Sequence, residues 1–461
     1  MAKVEEETAK QKPRILVVPY PAPGHLNPAL AFAKYLASKG LSITVIITTN
    51  LSKSAKFSSC SSITIENISD GSEEVKEPES IEGYFKRLKT VLSQNLANFI
   101  DEQKSRGSCA KLIMYDSIMP WVLDVAHVRG LLGASFFTQA CGVCAIYYHM
   151  KQGSLRIPRD EEDSRLLSLP SLPTLETRDL PCFTGIGGAS QTVQTLLADQ
   201  FSNLDQVDWI FFNTFDNLEY EVVDWMAKLW PIKTVGPTFA LLQKDEKLSD
   251  NKSHMISLFE PNTTTCKEWL DSKETASVVY VSFGSIASLR KEQMEELANG
   301  LIMSNRHFLW VVRASEMEKL PPNFTSLTSE KGLIVEWCHQ MEVLAHRALA
   351  CFMTHCGWNS TLEALINGVP LIAMAWQIDQ TTNSKFIEDV WGVGVRVKSG
   401  ENGIVGREEI ATCIEEVTQG DKGVEIKTNA CKWKELANEA VEKGGTSANN
   451  IEDFVSKLMS S

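Results

Sequence analysis

Short β-branched runs of strand length alternate with helical stretches along nearly the whole chain, and this alternation limits the possible folds more than any other feature. Ile15-Leu16-Val17-Val18 is followed by a Pro/Gly loop, a stretch with Leu30, Ala33 and Leu36 on one helical face, Gly40, and the run Ile43 to Ile47. That order is β-α-β, and strands joined through a helix run parallel. Further strands are predicted at Ser62 to Ile68, Leu112 to Tyr115, Ala134 to Phe137 and Trp209 to Asn213. Between them Ile81, Tyr84, Phe85, Leu88, Leu92, Leu96 and Phe99 recur every three or four residues, as in one long amphipathic helix. Uninterrupted apolar strands imply a parallel sheet covered on both faces. The chain turns polar and patternless between Leu241 and Asn262, then alternation restarts at Val278. Strands are predicted at Phe308 to Val312, Leu333 to Glu336, Cys351 to Thr354, Leu371 to Met374 and Val393 to Val397. The fold class is α/β, with two doubly wound parallel-sheet domains facing a cleft. Residues 1–12 form a tail, 13–242 the first domain, 243–262 a linker and 263–443 the second domain.

Forty-five Lys and Arg against fifty-eight Asp and Glu leave a formal charge of −13. Such a chain offers no basic field to nucleic acid or to an anionic membrane, so any phosphate must be held locally by backbone groups and a few side chains. Eleven cysteines, scattered without regular spacing, read as reduced thiols rather than a disulfide scaffold or a zinc site. The Lys/Glu-rich stretch Met1 to Gln11 has no apolar core and reads as a disordered tail, not a signal peptide. Apolar runs fall far short of the roughly 18 residues a membrane span needs. The expectation is a cytoplasmic protein, in which the Asn-x-Ser/Thr triplets at Asn67, Asn262, Asn323 and Asn359 are accidental.

Two constellations can carry chemistry. Pro21-Ala-Pro-Gly-His25-Leu-Asn27-Pro28 follows the first strand. With Asn27 as N-cap and Pro28 in the first helical turn, His25 falls in the loop at a strand's carboxyl end, where open α/β sheets bind ligands. Asp116 closes the run Leu112-Ile-Met-Tyr, so it lies at a carboxyl strand end on the same sheet edge. A His–Asp pair can then form, the carboxylate fixing the tautomer while the other ring nitrogen takes a proton from a hydroxyl. A turn histidine and a helix-capping aspartate before Pro120 account for the same residues. The second constellation runs from Phe352 to Ile366. A strand ends at His355, Gly357 allows a tight turn, and Leu362, Leu365 and Ile366 open a helix. Its free N–H groups, from Trp358 to Leu362, would seat an anion, at ~0.3–1 kcal/mol per anionic group and up to ~2 when partly buried. Asn359 and Ser360 would add donors. A helix that is simply well capped fits these residues too.

Trp337-Cys338-His-Gln340 through Asp379-Gln380 spans 44 residues and resembles the donor-binding box of plant UDP-sugar-dependent glycosyltransferases of family 1. The likeness is nearest to the group with salicylate, thiohydroximate, auxin and steroid or triterpenoid glucosyltransferases. The Pro-Gly-His loop, Tyr115-Asp116-Ser with Pro120-Trp121, Thr138, and Tyr280-Val-Ser-Phe-Gly284-Ser285 extend it over nearly the whole chain. The resemblance implies a GT-B fold of two Rossmann-like domains, with a C-terminal helix, residues 444–461, packing back on the first. It implies that Trp337, followed by Cys338, stacks on uracil and that Gln340 and Glu363 reach the uridine and ribose hydroxyls. It further implies that His355, Gly357, Asn359 and Ser360 hold the diphosphate with Ser285. Trp358, Asp379 and Gln380 would contact the sugar, with Thr138 reaching across. Gln380 resembles glucose users.

The resulting expectation is an inverting, UDP-glucose-dependent transferase in which His25 and Asp116 are catalytic. Its acceptor would be the hydroxyl of a hydrophobic plant metabolite such as a steroid, triterpenoid, flavonoid or other phenol. Glucose ester formation on a small carboxylic acid is the alternative. A non-catalytic nucleotide-sugar-binding protein is another, against which His25 and Asp116 together argue. UDP-glucose is a substrate here and no cofactor is expected; without an Asp-x-Asp pair no metal is expected either. Phe85, Leu88, Phe137, Ile146, Tyr147 and Tyr148 are acceptor-pocket candidates, although each also suits a core. A monomer is expected.

Other chemistries fit less well. A dinucleotide oxidoreductase needs G-x-G-x-x-G after its first strand, which is missing, and Gly185-Ile-Gly187-Gly188 fails the spacing at Ser190. Cys141-Gly-Val-Cys144 spells C-x-x-C in an apolar stretch, which favours buried helix thiols over a redox pair. No G-x-S-x-G elbow suggests a hydrolase. The donor box departs from its family at Arg347, where relatives commonly have Pro, and over Ala373 to Ile378, so the sugar-side loop is expected to sit differently.

Overall fold

The computed structural model describes residues 12–54, 62–155, 165–183, 190–244 and 262–460. Residues 1–11 of the expected tail, 245–261 of the expected linker and the Gly185 to Gly188 stretch lie outside these. The first sheet holds β1 (Arg14–Val18), β2 (Ser42–Thr48), β3 (Thr64–Ile68), β4 (Leu112–Asp116) and β5 (Leu132–Phe137). A two-stranded ribbon, β6 (Leu166–Leu167) with β7 (Leu175–Glu176), stands apart; β8 (Trp209–Phe212) and β9 (Ile232–Thr234) complete the sheet. Its order is β3-β2-β1-β4-β5-β8-β9, parallel throughout. The second sheet holds β10 (Val278–Ser282), β11 (His307–Val311), β12 (Gly332–Val335), β13 (Leu349–Thr354), β14 (Leu371–Ala373) and β15 (Gly394–Arg396). Its order, β12-β11-β10-β13-β14-β15, repeats the pattern. In each sheet the chain runs outward in both directions from a central pair, β1/β4 or β10/β13. The loops leaving those pairs diverge and open a crevice at the carboxyl edge.

Three readings of the sequence need correction. β9 was not anticipated, because three residues give no periodicity to detect. The Ile81 helix runs on to Ser105, but a π turn at Leu88–Leu92 interrupts it. The first helix starts at Pro23, with Ala22 as N-cap, so Asn27 is no cap and His25 lies within the first helical turn. Pro23 explains the earlier start, since a proline at the first position forfeits only an N–H that would be unpaired anyway.

The final helix, Thr446–Ser460, buries Ile451, Phe454 and Leu458 on one face. Phe454 meets Trp209 and Phe211 of β8 with ring centroids 5.2 and 5.0 Å apart. Ser447 Oγ donates to the Gly236 carbonyl at 2.7 Å and Lys111 Nζ to that of Leu458 at 2.7 Å. The chain's end is thereby fastened to the first sheet. A second cross-connection is ionic: Asp179, fully buried, accepts from Arg396 Nη1 at 2.5 Å and lies 3.7 Å from Lys385 Nζ.

Candidate active site

β1 and β4 pair in register up to Val18 opposite Tyr115, so the residues just beyond them share one edge. His25 Nδ1 lies 2.8 Å from Asp116 Oδ2. Asp116 is buried, and its other oxygen accepts the Ile118 N–H at 3.2 Å, so the carboxylate cannot swing away. Thr138 Oγ1, beyond the neighbouring strand β5, lies 3.0 Å from the same ring nitrogen. Burial works against a charged His25, but the charge and hydrogen bond of Asp116, helped by Asp379, outweigh it and hold the imidazole above its ordinary pKa. Tyr20 packs edge-on against the ring, centroids 5.1 Å apart, and faces Phe85 at 6.3 Å. Sequence reasoning passed over Tyr20 because one aromatic after a strand carries no motif.

Across the cleft, β13 delivers His355 and the helix Trp358–Asn367. The N-cap is Gly357 and no side chain caps this helix. Thr361 N–H already bonds the Gly357 carbonyl at 3.0 Å, so the open donors are those of Trp358, Asn359 and Ser360, a shorter set than expected. The His355 ring sits between two glycines: a Cβ on Gly284 would come within 2.8 Å of it and one on Gly357 within 2.6 Å. Burial lowers His355 to about 4, so it meets an anion as a neutral donor near pH 7. Ser285 follows Gly284, and its carbonyl is fixed by Arg313 Nη1 at 2.7 Å.

Trp337 and Cys338 follow β12. Gln340 donates to Ser360 Oγ at 3.0 Å and to Glu363 Oε2 at 2.5 Å, while its own carbonyl oxygen accepts from Tyr280 at 3.1 Å. Tyr280 also lies 3.3 Å from Cys338 Sγ. Burial lifts Glu363 to about 7, with the Gln340 bond opposing. Tyr280 is a member of this network that apolar strand context concealed.

The sugar-side residues divide. Asp379, held by Asn383 Nδ2 at 2.9 Å and lifted by burial to about 6, lies close enough to His25 for each to shift the other. Gln380 Oε1 accepts the N–H groups of Trp376 and Gln377, both at 3.0 Å, and so shapes the divergent loop. That loop is pinned where Ile378 pairs with Cys182 of the first domain. Trp358 does not offer its ring to a sugar: it is buried against Trp391, and Nε1 donates to the Asn213 carbonyl at 2.9 Å. Arg347, the other departure, bonds Thr275 Oγ1.

The acceptor candidates need correction. Leu88, Phe137, Ile146 and Tyr147 are core residues, with Phe137 stacked on Phe212 at 4.3 Å. Tyr148, half-buried, packs edge-on against Phe201, Trp225 and Trp230. Apolar periodicity marks a pocket wall and a core face alike; Phe85 faces Tyr20, whose ring packs against His25. Cys141 and Cys144 are buried in a helix, and burial pushes both thiols up, away from redox reactivity. Among the described residues no cluster of three or more His, Cys, Asp or Glu could hold a metal ion, and no helix is long and apolar enough to cross a membrane.

Two switch-point crevices facing each other, one with a His–Asp pair and one with an open helix N-terminus, define a GT-B glycosyltransferase site. The chain belongs to the plant UDP-dependent glycosyltransferases of family 1. The profile of the UDP-glucoronosyl and UDP-glucosyl transferase family matches residues 252–436. The chain is 51% identical over 472 residues to UDP glycosyltransferase 9 of Catharanthus roseus, covering 100% of both. It is 45% identical over 447 residues to a mogroside I-E synthase of Siraitia grosvenorii, covering 96% of this chain and 98% of that one. Os79 from O. sativa in complex with UDP superposes with a TM-score of 0.88 at 35% identity, covering 96% of this chain and 100% of that one. The same protein has been solved with U2F and trichothecene.

Proposed function

We propose that the enzyme transfers glucose from UDP-glucose to a hydroxyl of a small hydrophobic plant metabolite, a steroid, triterpenoid or phenol, with inversion at the anomeric carbon. The 2.8 Å contact between His25 Nδ1 and Asp116 Oδ2, opposite the uncapped Trp358 helix, carries this reading. Asp116 keeps the proton on Nδ1, which leaves the Nε2 lone pair for an acceptor hydroxyl. The acceptor oxygen bonds the anomeric carbon as its proton passes to Nε2, and the carbon–oxygen bond to UDP breaks with its electron pair on the diphosphate. The open N–H groups and neutral His355 stabilise that leaving charge. Direct displacement needs one base and no carboxylate nucleophile. A neighbour solved with both U2F and trichothecene supports a small-molecule acceptor. The reading includes no metal or further cofactor, an acceptor domain at 13–242, a donor domain at 263–443 with 243–262 as linker, and a cytoplasmic monomer.

The test is His25→Ala, assayed with UDP-glucose on an alcohol and on a carboxylic acid across pH. Alcohol transfer should fall by roughly 10²–10⁴-fold while UDP affinity stays within about two-fold. A carboxylic acid, ionised at neutral pH, should keep a larger fraction of its rate. In the wild type the neutral imidazole is the active form, and its pKa is raised from 6.5, so alcohol transfer should decline with falling pH from above 6.5. Alcohol transfer within a few-fold of wild type overturns the base assignment, and equal losses on both acceptors make His25 a positioning group.

A further inference from the structure

Pro28 lies inside the helix Pro23–Ser38, one turn beyond its start. Having no N–H, it gives no intrahelical hydrogen bond to the Gly24 carbonyl four residues before it, and its ring crowds that carbonyl off the helix axis. The Gly24 carbonyl accepts instead from Asn359 Nδ2, at 2.7 Å, across the cleft. Gly24 is the chain neighbour of His25. Asn359 is the second residue of the open helix, and its Oδ1 is buried with no partner. Trp358, one residue earlier, is bonded to the Asn213 carbonyl through a fully enclosed indole. Two consecutive residues of one helix thus reach carbonyls of the other domain, one rigidly and one through a short amide.

We infer that Pro28 and Asn359 form a positioning latch that sets the reach from His25 to the donor's diphosphate seat. The latch rests on the transfer reading above. Proline at 28 leaves this acceptor without an intrahelical competitor: a residue with an N–H there would bond the Gly24 carbonyl and draw it toward the helix axis. Asn359 then reports the position of the diphosphate seat to the backbone beside the base. Neither Pro28 nor the Gly24 carbonyl touches a reacting atom; both act through His25.

The experiment is a double-mutant cycle on kcat for an alcohol acceptor, with UDP affinity measured by calorimetry on each variant. Pro28→Ala should lower kcat by about 5–30-fold, the scale of a sub-ångström misplacement, with UDP affinity unchanged within about two-fold. Pro28→Val, of similar bulk and also bearing an N–H, should behave alike; a loss in the alanine variant alone would assign the effect to lost volume and overturn the latch. Asn359→Ala should lower both kcat and UDP affinity. In the Pro28→Ala background, Asn359→Ala should cost less kcat than it does in the wild type, because the Gly24 contact is already broken and only its share in the diphosphate seat is left to lose. Additive losses, or wild-type kcat in both Pro28 variants, overturn the latch while leaving the base assignment intact. That assignment falls only on the His25→Ala result.

Discussion

Burial lifts Glu363 to about 7, so near neutral pH its carboxyl is divided between two protonation states. Only the carboxylate accepts two ribose hydroxyls, so a nucleotide held there favours the ionised form and releases a proton on binding. UDP affinity should therefore rise with pH up to about 7, by at most about tenfold per unit, and flatten above it. Calorimetry in buffers of different ionisation enthalpy should detect the released fraction, and Glu363→Gln should abolish it. His355 adds no such dependence near neutrality, because burial has already placed it at about 4. An unchanged buffer dependence in Glu363→Gln would remove Glu363 from the ribose. None of these charge states can be read from residue identity, since burial, not residue type, sets them. Chemical identity at such positions is legible in a sequence; desolvation is not.

At the scale of elements, the slot around His355 depends on two glycines with different reasons to be glycine. Gly284 adopts a φ of +71°, which costs a side-chain-bearing residue about 1–2 kcal/mol. Gly357 has an ordinary φ of −59° and is constrained only by the ring beside it. Gly284→Ala and Gly357→Ala should both weaken UDP binding by about tenfold or more, since 1.4 kcal/mol is a factor of ten. Only Gly284→Ala should also lower the unfolding midpoint by the backbone strain. Wild-type UDP affinity in both variants, by calorimetry, would take His355 out of the diphosphate seat. Strand positions were readable because buried parallel strands need continuous apolar runs, whereas helix starts were not. Asn27 and Pro28 look like a cap and a first turn, yet Pro23 and Ala22 do that work. Two prolines each suited to a helix start compete on equal local terms, and the packing of Leu26 into the core favours the earlier one.

Over the whole molecule, the first domain is clasped to the second around Asp179. This buried carboxylate accepts from Arg396 and from the Glu176 N–H at 2.8 Å, while Thr381 and Thr382 Oγ1 donate to the carbonyls of Leu180 and Asp179. Cys182 then pairs with Ile378 next to Asp379, so the clasp fixes the sugar-side loop. Asp179→Ala leaves Arg396 with Glu388 as its close partner, so the cost falls below the value for an unpaired buried charge and is about 1–3 kcal/mol, that of lost hydrogen bonds to a charged group. The variant should lose stability on that scale in urea unfolding and should show a raised KM for UDP-glucose. Wild-type midpoint and KM together would mean that the clasp carries no load. Nothing in the chain's text marks Asp179 as a clasp, because its ionic partners Arg396 and Lys385 lie more than two hundred residues away.

The sequence by itself determined that there are two parallel α/β sheets and that His25 and Asp116 fall at the carboxyl edge of the first; that β1 and β4 are neighbours came from the structure. The parallel class follows from continuous apolar runs joined by helices, which are local properties of the text, whereas the strand order in each sheet is set by pairing between distant segments. The donor box was legible for a similar reason, since its glycines, helix start and polar side chains act within one strand–turn–helix unit. The tertiary structure alone decided what depends on distant partners. Leu88, Phe137, Ile146 and Tyr147 became core because other elements cover them. Trp358 turned to Asn213, and Asn359 reached Gly24, because the second sheet's crevice faces the first. A residue's type states which contacts it can make; only the packed chain settles which of them are within reach, through burial and distance.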